Sequence, residues 1–400
     1  PEKTQMAQFI HRVNEIYGLE IKSYDELFNW SVNHISEFWE QIWDFSEIKH
    51  SIPYTEVVDD DKKMPGAKWF SGAKLNYAEN LLRYRDDHPA IHFKGEGQPV
   101  RSLTYQELFV EVEKLAHSLR EFGVRKGDRV SGFIPNIPEA IIAMLASASI
   151  GAIWSSSSPD FGIKGVLDRF AQIEPKIIFA ANGYFYNGKT FDSLDKLQGI
   201  LTNLPSVEKV VVVGYTKENP DISQIENAIL YSDFTSKSPY PLEFEQLPFD
   251  HPLYIMYSSG TTGLPKSIVH SAGGTLIQHM KELQLHCDLT RDDTIFYFTT
   301  CGWMMWNWLV SSLSVGATVV LFDGSPFHPN GNAMWEMADE LDITVFGTSA
   351  KFIDACKDAR IRPVEAVDLT SLRTILSTGS PLVDECFDYV YKHVKQDVLL

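Results

Sequence analysis

From Leu103 onward the chain alternates between helical and strand-like patterns of apolar residues. Thr104 and Glu107 form a capping box, and the apolar residues after them recur every three or four positions up to Gly123. This spacing predicts a helix that ends at the glycine. The next predicted strands are 129–134, 152–155, 176–180 and 210–213, and the next predicted helices are 138–150 and 166–173.

The same alternation resumes after His251. The predicted strands are 253–257, 295–298, 318–322, 344–346 and 374–376, and the predicted helices are those from about 272, 306–313, 333–341, 350–357 and from about 383. Units of this kind are typical of α/β folds with mostly parallel sheets and helices on both faces. Ligands of such sheets bind in loops at the carboxyl ends of the strands.

Two segments depart from this alternation. Residues 215–246 are polar, contain several prolines and lack a clear period, so we interpret them as a surface excursion that joins two sub-domains. The first 80 residues are dense in Trp and Phe and have helical spacing interrupted by turns. We predict a helical N-terminal region, residues 1–83, that wraps around a main body of residues 84–400. Its aromatic residues are expected to form core rather than a ligand site.

Composition and charge restrict the class of function. Apolar residues at 44% and aromatic residues at 12% exclude disorder of the whole chain. The formal net charge of −18 disfavours nucleic acid as a partner, because the surface repels phosphates. Any site for an anion must therefore be local, formed by backbone N–H groups and a few cations.

Cysteine usage and apolar run lengths indicate a cytosolic protein. The four cysteines show neither CxxC spacing nor a disulfide framework, which favours free thiols in a reducing compartment. No signal peptide opens the chain. The apolar run 140–154 is shorter than the roughly 20 residues that a membrane span needs. Both ends suggest a segment of a longer protein, because Pro1 is not an initiator and the apolar residues 398–400 resemble a buried strand.

The loop after the predicted strand 253–257 is rich in glycine and hydroxyl groups. Its glycines allow close backbone approach, its hydroxyls donate hydrogen bonds, and its lysine supplies a positive charge, so a polyphosphate is the expected ligand. The candidate phosphate-binding residues are Ser258, Ser259, Gly260, Thr261, Thr262, Gly263 and Lys266. A Walker A loop is disfavoured, because Pro265 stands where that motif has its second glycine. A plain hairpin turn with an incidental lysine is the structural alternative.

The pattern S-S-G-T-T-G-x-P-K of residues 258–266 resembles the signature loop of the adenylate-forming enzymes. Residues 127–130, 134–136, 299–307 and 376–382 extend the resemblance over most of the chain. The resemblance implies that the loop binds the β- and γ-phosphates of ATP. It also implies the fold of that family's N-terminal domain, and catalytic roles for Lys266, Thr261 and Thr262.

The resemblance also implies further binding residues. Adenine-binding positions are Gly379, Ser380 and Pro381, acyl-pocket positions are Trp303, Met304, Met305 and Thr378, and a CoA-binding position is Lys189. Plain core packing is the alternative for the Trp/Met cluster, and an exposed turn lysine is the alternative for Lys189. No HExxH pattern, Cys/His cluster or EF-hand loop occurs, so no protein-ligated metal is predicted.

Residues 75–80, 154–162, 270–274, 301–307 and 323–326 resemble the acid–CoA ligases within this family. The resemblance implies acetoacetate as the acid, with acetate or propionate as the alternative. ATP, Mg²⁺ and CoA are the implied cofactors and co-substrates. The reaction would pass through an acyl-adenylate and release AMP and pyrophosphate.

Three elements of such ligases are expected beyond residue 400. They are the acidic residue that holds Mg²⁺, the aspartate that binds ribose, and the C-terminal domain with its adenylation lysine. Mg²⁺ would therefore be held mainly through ATP and residues outside these 400. These residues alone would form acyl-adenylate slowly, with that C-terminal domain as their partner. Rival interpretations are a non-catalytic nucleotide-binding protein of the same fold and a P-loop ATPase.

Overall fold

A computed structural model describes residues 2–258 and 263–400 of the chain. The helices are α1 Gln5–Tyr17, α2 Tyr24–Asn33, α3 Ile35–Phe45, α4 Tyr77–Leu81, α5 Tyr105–Phe122, α6 Pro138–Ser149, α7 Ile163–Phe170, α8 Leu194–Leu201, α9 Tyr231–Phe234, α10 Ala272–Lys281, α11 Met304–Ser311, α12 Ala333–Glu340, α13 Ala350–Asp358 and α14 Asp384–Tyr389. Single helical turns of other types span Glu282–His286, Ser312–Val315, Pro363–Glu365 and Val390–Val394.

The strands alternate with these helices along most of the chain. They are β1 Glu56–Val58, β2 Trp69–Ser71, β3 Lys74–Leu75, β4 Pro89–Gly95, β5 Arg101–Thr104, β6 Arg129–Phe133, β7 Ile153–Ser157, β8 Ile177–Ala181, β9 Gly183–Tyr186, β10 Lys189–Asp192, β11 Lys209–Val213, β12 Ala228–Leu230, β13 Leu247–Pro248, β14 Pro252–Tyr257, β15 Ser267–Ser271, β16 Thr294–Tyr297, β17 Thr318–Asp323, β18 Val345–Ser349 and β19 Thr374–Thr378.

Two large, mostly parallel sheets organise the molecule. One has seven strands in the order β12-β11-β8-β6-β7-β14-β15, and only β15 runs antiparallel to its neighbour. The other has six strands in the order β19-β18-β16-β17-β4-β5, and only β5 runs antiparallel. Three small antiparallel pairs, β1–β2, β3–β13 and β9–β10, complete the pairing among the described residues. The predicted α/β class with mostly parallel sheets is confirmed.

Each large sheet is buried on both faces. In β8, Ile177 and Phe179 belong to the central core, whereas Ile178 faces an outer core formed with α7 and α8. In β17, Val319 faces the same central core and Val320 faces a second outer core formed with α12–α14. The central core also contains the buried residues of α4, α5, α6, α10 and α11. These helices therefore form one apolar layer shared by both sheets, stabilised by removal of apolar surface from water.

Local signals account for the two longest central helices. The capping box of Thr104 and Glu107 is present at the start of α5, and Gly123 ends the helix with φ 97°. Pro138 occupies the first turn of α6, where its missing N–H costs no hydrogen bond. Eleven residues of α6 are buried, which explains why its sequence is apolar and small on all sides. Both predicted helices are confirmed.

The aromatic residues of the N-terminal region pack onto the main body, as predicted. The ring of Trp43 stacks on that of Phe70 with centroids 4.8 Å apart, and Phe70 contacts Phe249 at 4.9 Å. Further attachments are hydrogen bonds from Ser46 Oγ to Gln284 and from the Gln5 N–H to Asp288. Besides α1–α4, the region contains the short strands β1–β3, which the helical prediction missed.

Several short edge strands were not predicted from the sequence. They are β5, β9, β10, β12 and β15; the longer inner strand β4, which lies between β17 and β5, was also missed. The prediction that residues 215–246 are only a surface excursion is wrong for Ala228–Leu230, which pairs in parallel with β11, and for the turn of helix α9 after it. A three-residue strand has almost no periodicity of its own, and pairing with an existing edge stabilises it. At the end of the chain Val398 is buried and Leu399 bridges to Thr374 in parallel.

All four cysteines are free and buried. Among residues 2–258 and 263–400, no helix is both long enough and apolar enough to span a lipid bilayer.

Asn76 joins three segments inside the central core. Its side-chain N–H groups donate to the carbonyl oxygens of Ala148, Ser149 and Glu245, at 3.0, 3.2 and 2.9 Å. Its Oδ1 accepts the N–H of Glu79 at 3.2 Å and caps α4. The residue is fully buried. Its removal takes one donor from each of these carbonyl groups, of which those of Ala148 and Ser149 keep backbone donors from Gly151 and Glu245.

We predict that Asn76→Ala lowers the free energy of unfolding by about 2–4 kcal/mol, because these buried carbonyl groups each lose one donor. Urea denaturation followed by fluorescence measures this loss. Asn33→Ala, on the exposed end of α2, is the control and should change stability by less than about 0.5 kcal/mol. Equal effects of the two substitutions would contradict the assigned role.

Candidate functional site

The carboxyl edges of the two large sheets meet at one place. Asn136, which follows β6, accepts a hydrogen bond from the Trp306 indole at 2.9 Å and donates to the carbonyl of Thr299 at 3.4 Å. Ser156, in β7, donates to the carbonyl of Cys301 at 2.6 Å. The ends of β6 and β7 therefore meet the loop that follows β16, and ligands of parallel sheets bind at such edges.

The predicted phosphate loop connects β14 to β15. At its base the Ser258 N–H donates to the Lys266 carbonyl at 3.0 Å, and the Lys266 N–H donates to Ser258 Oγ at 3.3 Å. Gly263 adopts φ 115°, which a residue with a side chain rarely does. Lys266 is exposed. The other predicted loop residues, Ser259, Gly260, Thr261 and Thr262, lie outside the described part of the chain.

Gln172, just after α7, holds the loop from the side. Its Nε2 donates to the Pro265 carbonyl at 2.9 Å, and its Oε1 accepts the Ser267 hydroxyl at 3.0 Å. One amide group thus binds the residues on both sides of Lys266, through the Pro265 carbonyl and the Ser267 hydroxyl. No local sequence pattern indicates this contact, because the partners of Gln172 lie more than 90 residues away in the chain.

The predicted adenine-binding residues form a turn between β19 and α14. Gly379 adopts φ 92°, and a Cβ there would meet no atom within 4 Å. Ser380 and Pro381 are exposed and line a small cavity of about 100 Å³ that also touches Lys351 and Asp354 of α13. The turn therefore leaves space at the carboxyl end of β19 for a flat group to approach the backbone.

Three of the four predicted acyl-pocket residues line one cavity of about 730 Å³. We call it the histidine cavity; its walls are His270, Gln278, His279, Lys281, Glu282, His286, Cys287, Tyr297, Met304, Met305, Trp308, Leu376, Ser377 and Thr378. Trp303, the fourth predicted residue, is not among them. It immediately precedes α11, and its side chain is 54% exposed.

The imidazoles of the histidine cavity are held neutral. Burial lowers the pKa of His279 to about 3, with a further contribution from His270, and its Nδ1 lies 2.7 Å from Ser311 Oγ. Burial also lowers the pKa values of His270 and His286. At neutral pH the cavity therefore offers polar but uncharged imidazoles. The sequence did not predict these histidines, although His279 and His286 both lie on the helical segment that begins with α10.

Lys189 lies on a hairpin that borders a second cavity. The turn Asn187–Gly188 between β9 and β10 has φ values of 54° and 75°, as a tight two-residue hairpin requires. Lys189 itself is exposed and starts β10. We call the neighbouring space of about 380 Å³ the hairpin cavity; it is lined by 135–136, 158–160, 184–186, 191, 298–300 and 322–324.

Two carboxylates, those of the buried Glu96 and the partly buried Asp323, support the hairpin cavity. Glu96 accepts the backbone N–H groups of Asn187 at 2.9 Å and Ser325 at 2.7 Å, and also that of Gly188. Asp323 accepts the N–H of Phe185 at 3.2 Å. Burial raises the pKa of Asp323 to about 6, and the carboxylates of Glu96 and Asp160 act in the same direction. Neither support was predicted from the sequence, although Asp323 begins one of the stretches that carry the family resemblance.

Two family models match the chain. One, described as AMP-binding enzyme, matches residues 78–399. The other, described as acetyl-coenzyme A synthetase N-terminus, matches residues 24–81.

Similar proteins cover nearly the whole chain. Acetoacetyl-CoA synthetase of Xenopus tropicalis is 50% identical over 99% of this chain and 61% of its own length. Malonamoyl-CoA synthetase of Penicillium aethiopicum is 42% identical over 98% of this chain and 58% of its own length. The structure of acetoacetyl-CoA synthetase from Streptomyces lividans superposes with a TM-score of 0.93 at 41% identity, covering 100% of this chain and 62% of that one. The chain thus spans about three fifths of the length of these relatives.

The raised pKa of Asp323 predicts a specific pH dependence. Below pH ~4 the carboxyl is protonated in both the folded and unfolded states, whereas between pH ~4 and ~6 only the folded state retains the proton. The stability contributed by this proton is therefore lost as pH rises through about 6.

We compare the free energy of unfolding of the native protein with that of Asp323→Asn at each pH. The native protein minus the variant gives a difference that should fall by on the order of 2–3 kcal/mol between pH ~4 and ~7 and then stay level. Denaturant titrations at several pH values measure this difference. Asp61→Asn changes an exposed carboxylate and serves as the comparison. A difference for Asp323→Asn that does not change with pH would contradict the assignment.

Proposed function

Because the chain belongs to the AMP-binding enzyme family, we propose that it is the nucleotide-binding part of an ATP-dependent ligase that joins acetoacetate to CoA. The observation that best supports this proposal is that strand β15 connects the phosphate loop to the histidine cavity. Lys266 precedes this strand and His270 lies on it. Four extended residues span roughly 13 Å and bring side chains back to the same side of the strand.

The relatives support the choice of acid. Acetoacetyl-CoA synthetases align with nearly the whole chain at about half identity. Neutral imidazoles can donate one hydrogen bond to an uncharged carbonyl oxygen without attracting a second carboxylate. Met304 and Met305 supply adaptable apolar walls for a short acid. The relative named malonamoyl-CoA synthetase makes malonamate, another short acid with a second carbonyl, the next candidate.

The proposed reaction has two steps. A carboxylate oxygen of the acid attacks the α-phosphorus of ATP, the bond to the β-phosphate oxygen breaks, and pyrophosphate leaves. The CoA sulfur then attacks the acyl carbon, the bond to AMP breaks, and the thiol proton passes to solvent. Neither step needs a side-chain nucleophile, so catalysis depends on orientation and on neutralisation of phosphoryl charge.

The chain's own residues contribute mainly to binding and orientation. Lys266 and the loop N–H groups would hold the leaving pyrophosphate, with Thr261 and Thr262 as additional donors. The turn at Gly379, Ser380 and Pro381 would support adenine. Within the described residues no group of three or more His, Cys, Asp or Glu side chains could hold a metal ion. Mg²⁺ would be held mainly through ATP and residues beyond residue 400, and there it would neutralise phosphate charge.

CoA is assigned to the hairpin cavity in this proposal. The cavity lies where both sheet edges meet, and its hairpin carries Lys189, a cation suited to a phosphate of CoA. The division into a helical region of residues 1–83 and a core of 84–400 belongs to the same proposal, and the two family models, which meet near residue 80, support it. The four free thiols favour a reducing compartment, such as the cytosol.

The direct test is thioester formation by the protein as its gene encodes it in full. Acetoacetate, malonamate, acetate and propionate compete for limiting CoA, and mass spectrometry quantifies each product. Acetoacetyl-CoA should dominate. A clear preference for acetate or propionate would instead assign the protein to the ligases of those acids. No thioester and no nucleotide cleavage would favour a non-catalytic nucleotide-binding protein, and release of phosphate instead of pyrophosphate would favour an ATPase.

Lys266→Ala should slow acetoacetate-dependent exchange of pyrophosphate into ATP by roughly 10- to 100-fold, because a charged hydrogen bond to the leaving group contributes about 1.5–3 kcal/mol. Exchange of radiolabelled pyrophosphate measures the rate. Lys62→Ala, at an exposed position in the N-terminal region, is the control and should leave the rate unchanged. An unaltered rate for Lys266→Ala would contradict the role of the loop.

A further inference from the structure

The hairpin of β9 and β10 has little support of its own. Its strands pair only with each other within the described residues, and all four residues of β10 are exposed. It nevertheless supplies one wall of the hairpin cavity, through residues 184–186 and 191. Another wall comes from residues 322–324 at the end of β17. The contacts that join these two walls therefore determine the width of the cavity.

Glu96 joins the two walls through a single carboxylate. Its Oε2 accepts the N–H of Asn187 at the hairpin tip, at 2.9 Å, and the N–H of Ser325 after β17, at 2.7 Å. Its Oε1 accepts the N–H of Gly188. Asp323 adds a second attachment, to the N–H of Phe185 at 3.2 Å. The hairpin backbone is thus bound to the β4–β17 edge through three N–H groups, those of Phe185, Asn187 and Gly188.

The surroundings leave Glu96 little freedom to move. Its side chain is only 4% exposed, and His328 lies 3.8 Å from its Oε1. A Cβ added to Gly324 would lie 2.6 Å from the Glu96 Cβ, and a Cβ added to Gly188 would lie 3.0 Å from the His328 ring. A buried carboxylate needs hydrogen-bond donors to offset lost hydration, and here the backbone of the two walls provides them.

We infer that Glu96 is a positioning residue for the thioester-forming step, which acts by fixing the hairpin against the loop after β17 and so shaping the cavity that receives CoA. This inference rests on the proposed function, because it takes the hairpin cavity as the CoA site. Glu96 makes no contact with the phosphate loop or the histidine cavity among the described residues. Its role is therefore confined to the half-reaction that uses CoA.

Glu96→Gln tests the inference with almost no change in shape. The amide NH₂ cannot accept a hydrogen bond, so at least one of the N–H groups of Asn187, Gly188 and Ser325 loses its partner. We expect the KM for CoA in thioester formation to rise at least about tenfold, equivalent to 1.4 kcal/mol. Acetoacetate-dependent pyrophosphate exchange, which needs no CoA, should stay within about twofold of the native rate.

Asp293→Asn is the matched control. Asp293 is a buried carboxylate at the amino edge of the same sheet, where it accepts the N–H of Thr290 at 2.8 Å and a hydrogen bond from Arg373 at 3.0 Å. It lines neither the hairpin cavity nor the histidine cavity. Its substitution should lower the melting temperature without raising the KM for CoA.

The outcomes separate the inference from the proposed function. If the native protein shows no pyrophosphate exchange, the proposed function fails whatever Glu96 does. If exchange is normal but Glu96→Gln leaves the KM for CoA unchanged, or lowers exchange and thioester formation equally, the inference fails. Glu96→Asp, which keeps the charge but is one methylene too short to reach both walls, should also raise this KM. Failure of both variants to fold would assign Glu96 to stability and overturn the inference.

Discussion

The site depends on a layer of helices that two sheets share. Helix α6 is buried on nearly all sides, with α5 beside it and residues of both large sheets in the same core. Burial of this apolar layer holds the sheets together, and the hydrogen bonds of Asn136 and Ser156 join their carboxyl edges. The described base of the candidate phosphate loop, the histidine cavity and the hairpin cavity lie at the ends of strands of these two sheets.

Backbone N–H groups provide much of the stabilisation of buried negative charge in this acidic chain. With a net charge of −18, the surface repels anions at long range. Backbone N–H groups stabilise the buried carboxylate of Glu96 and the partly buried one of Asp323, and burial keeps His279 neutral. A negatively charged ligand would therefore be recognised at short range, by N–H groups and by exposed cations such as Lys266.

Site residues were easier to predict from the sequence when the residues that interact lie close together along the chain. The phosphate loop was predicted because its glycines, hydroxyls and lysine fall within nine consecutive residues, 258–266. Met304, Met305 and Thr378 were assigned to one pocket only through a family resemblance, and the structure places them in one cavity, while Trp303 lies outside it. Gln172 and Glu96 carry no local signal, since their partners are 91 or more residues away.

The sequence by itself determined most of the alternating helices and strands of the two large sheets and the caps of α5, and it yielded the candidate phosphate loop. These features arise from contacts within a turn or two of backbone, where spacing along the chain equals spacing in the molecule. Only the tertiary structure decided the short edge strands, the neutral histidines and the attachment of the hairpin by Glu96. Each of these requires burial or pairing between distant segments, and neither exists until the two sheets have packed.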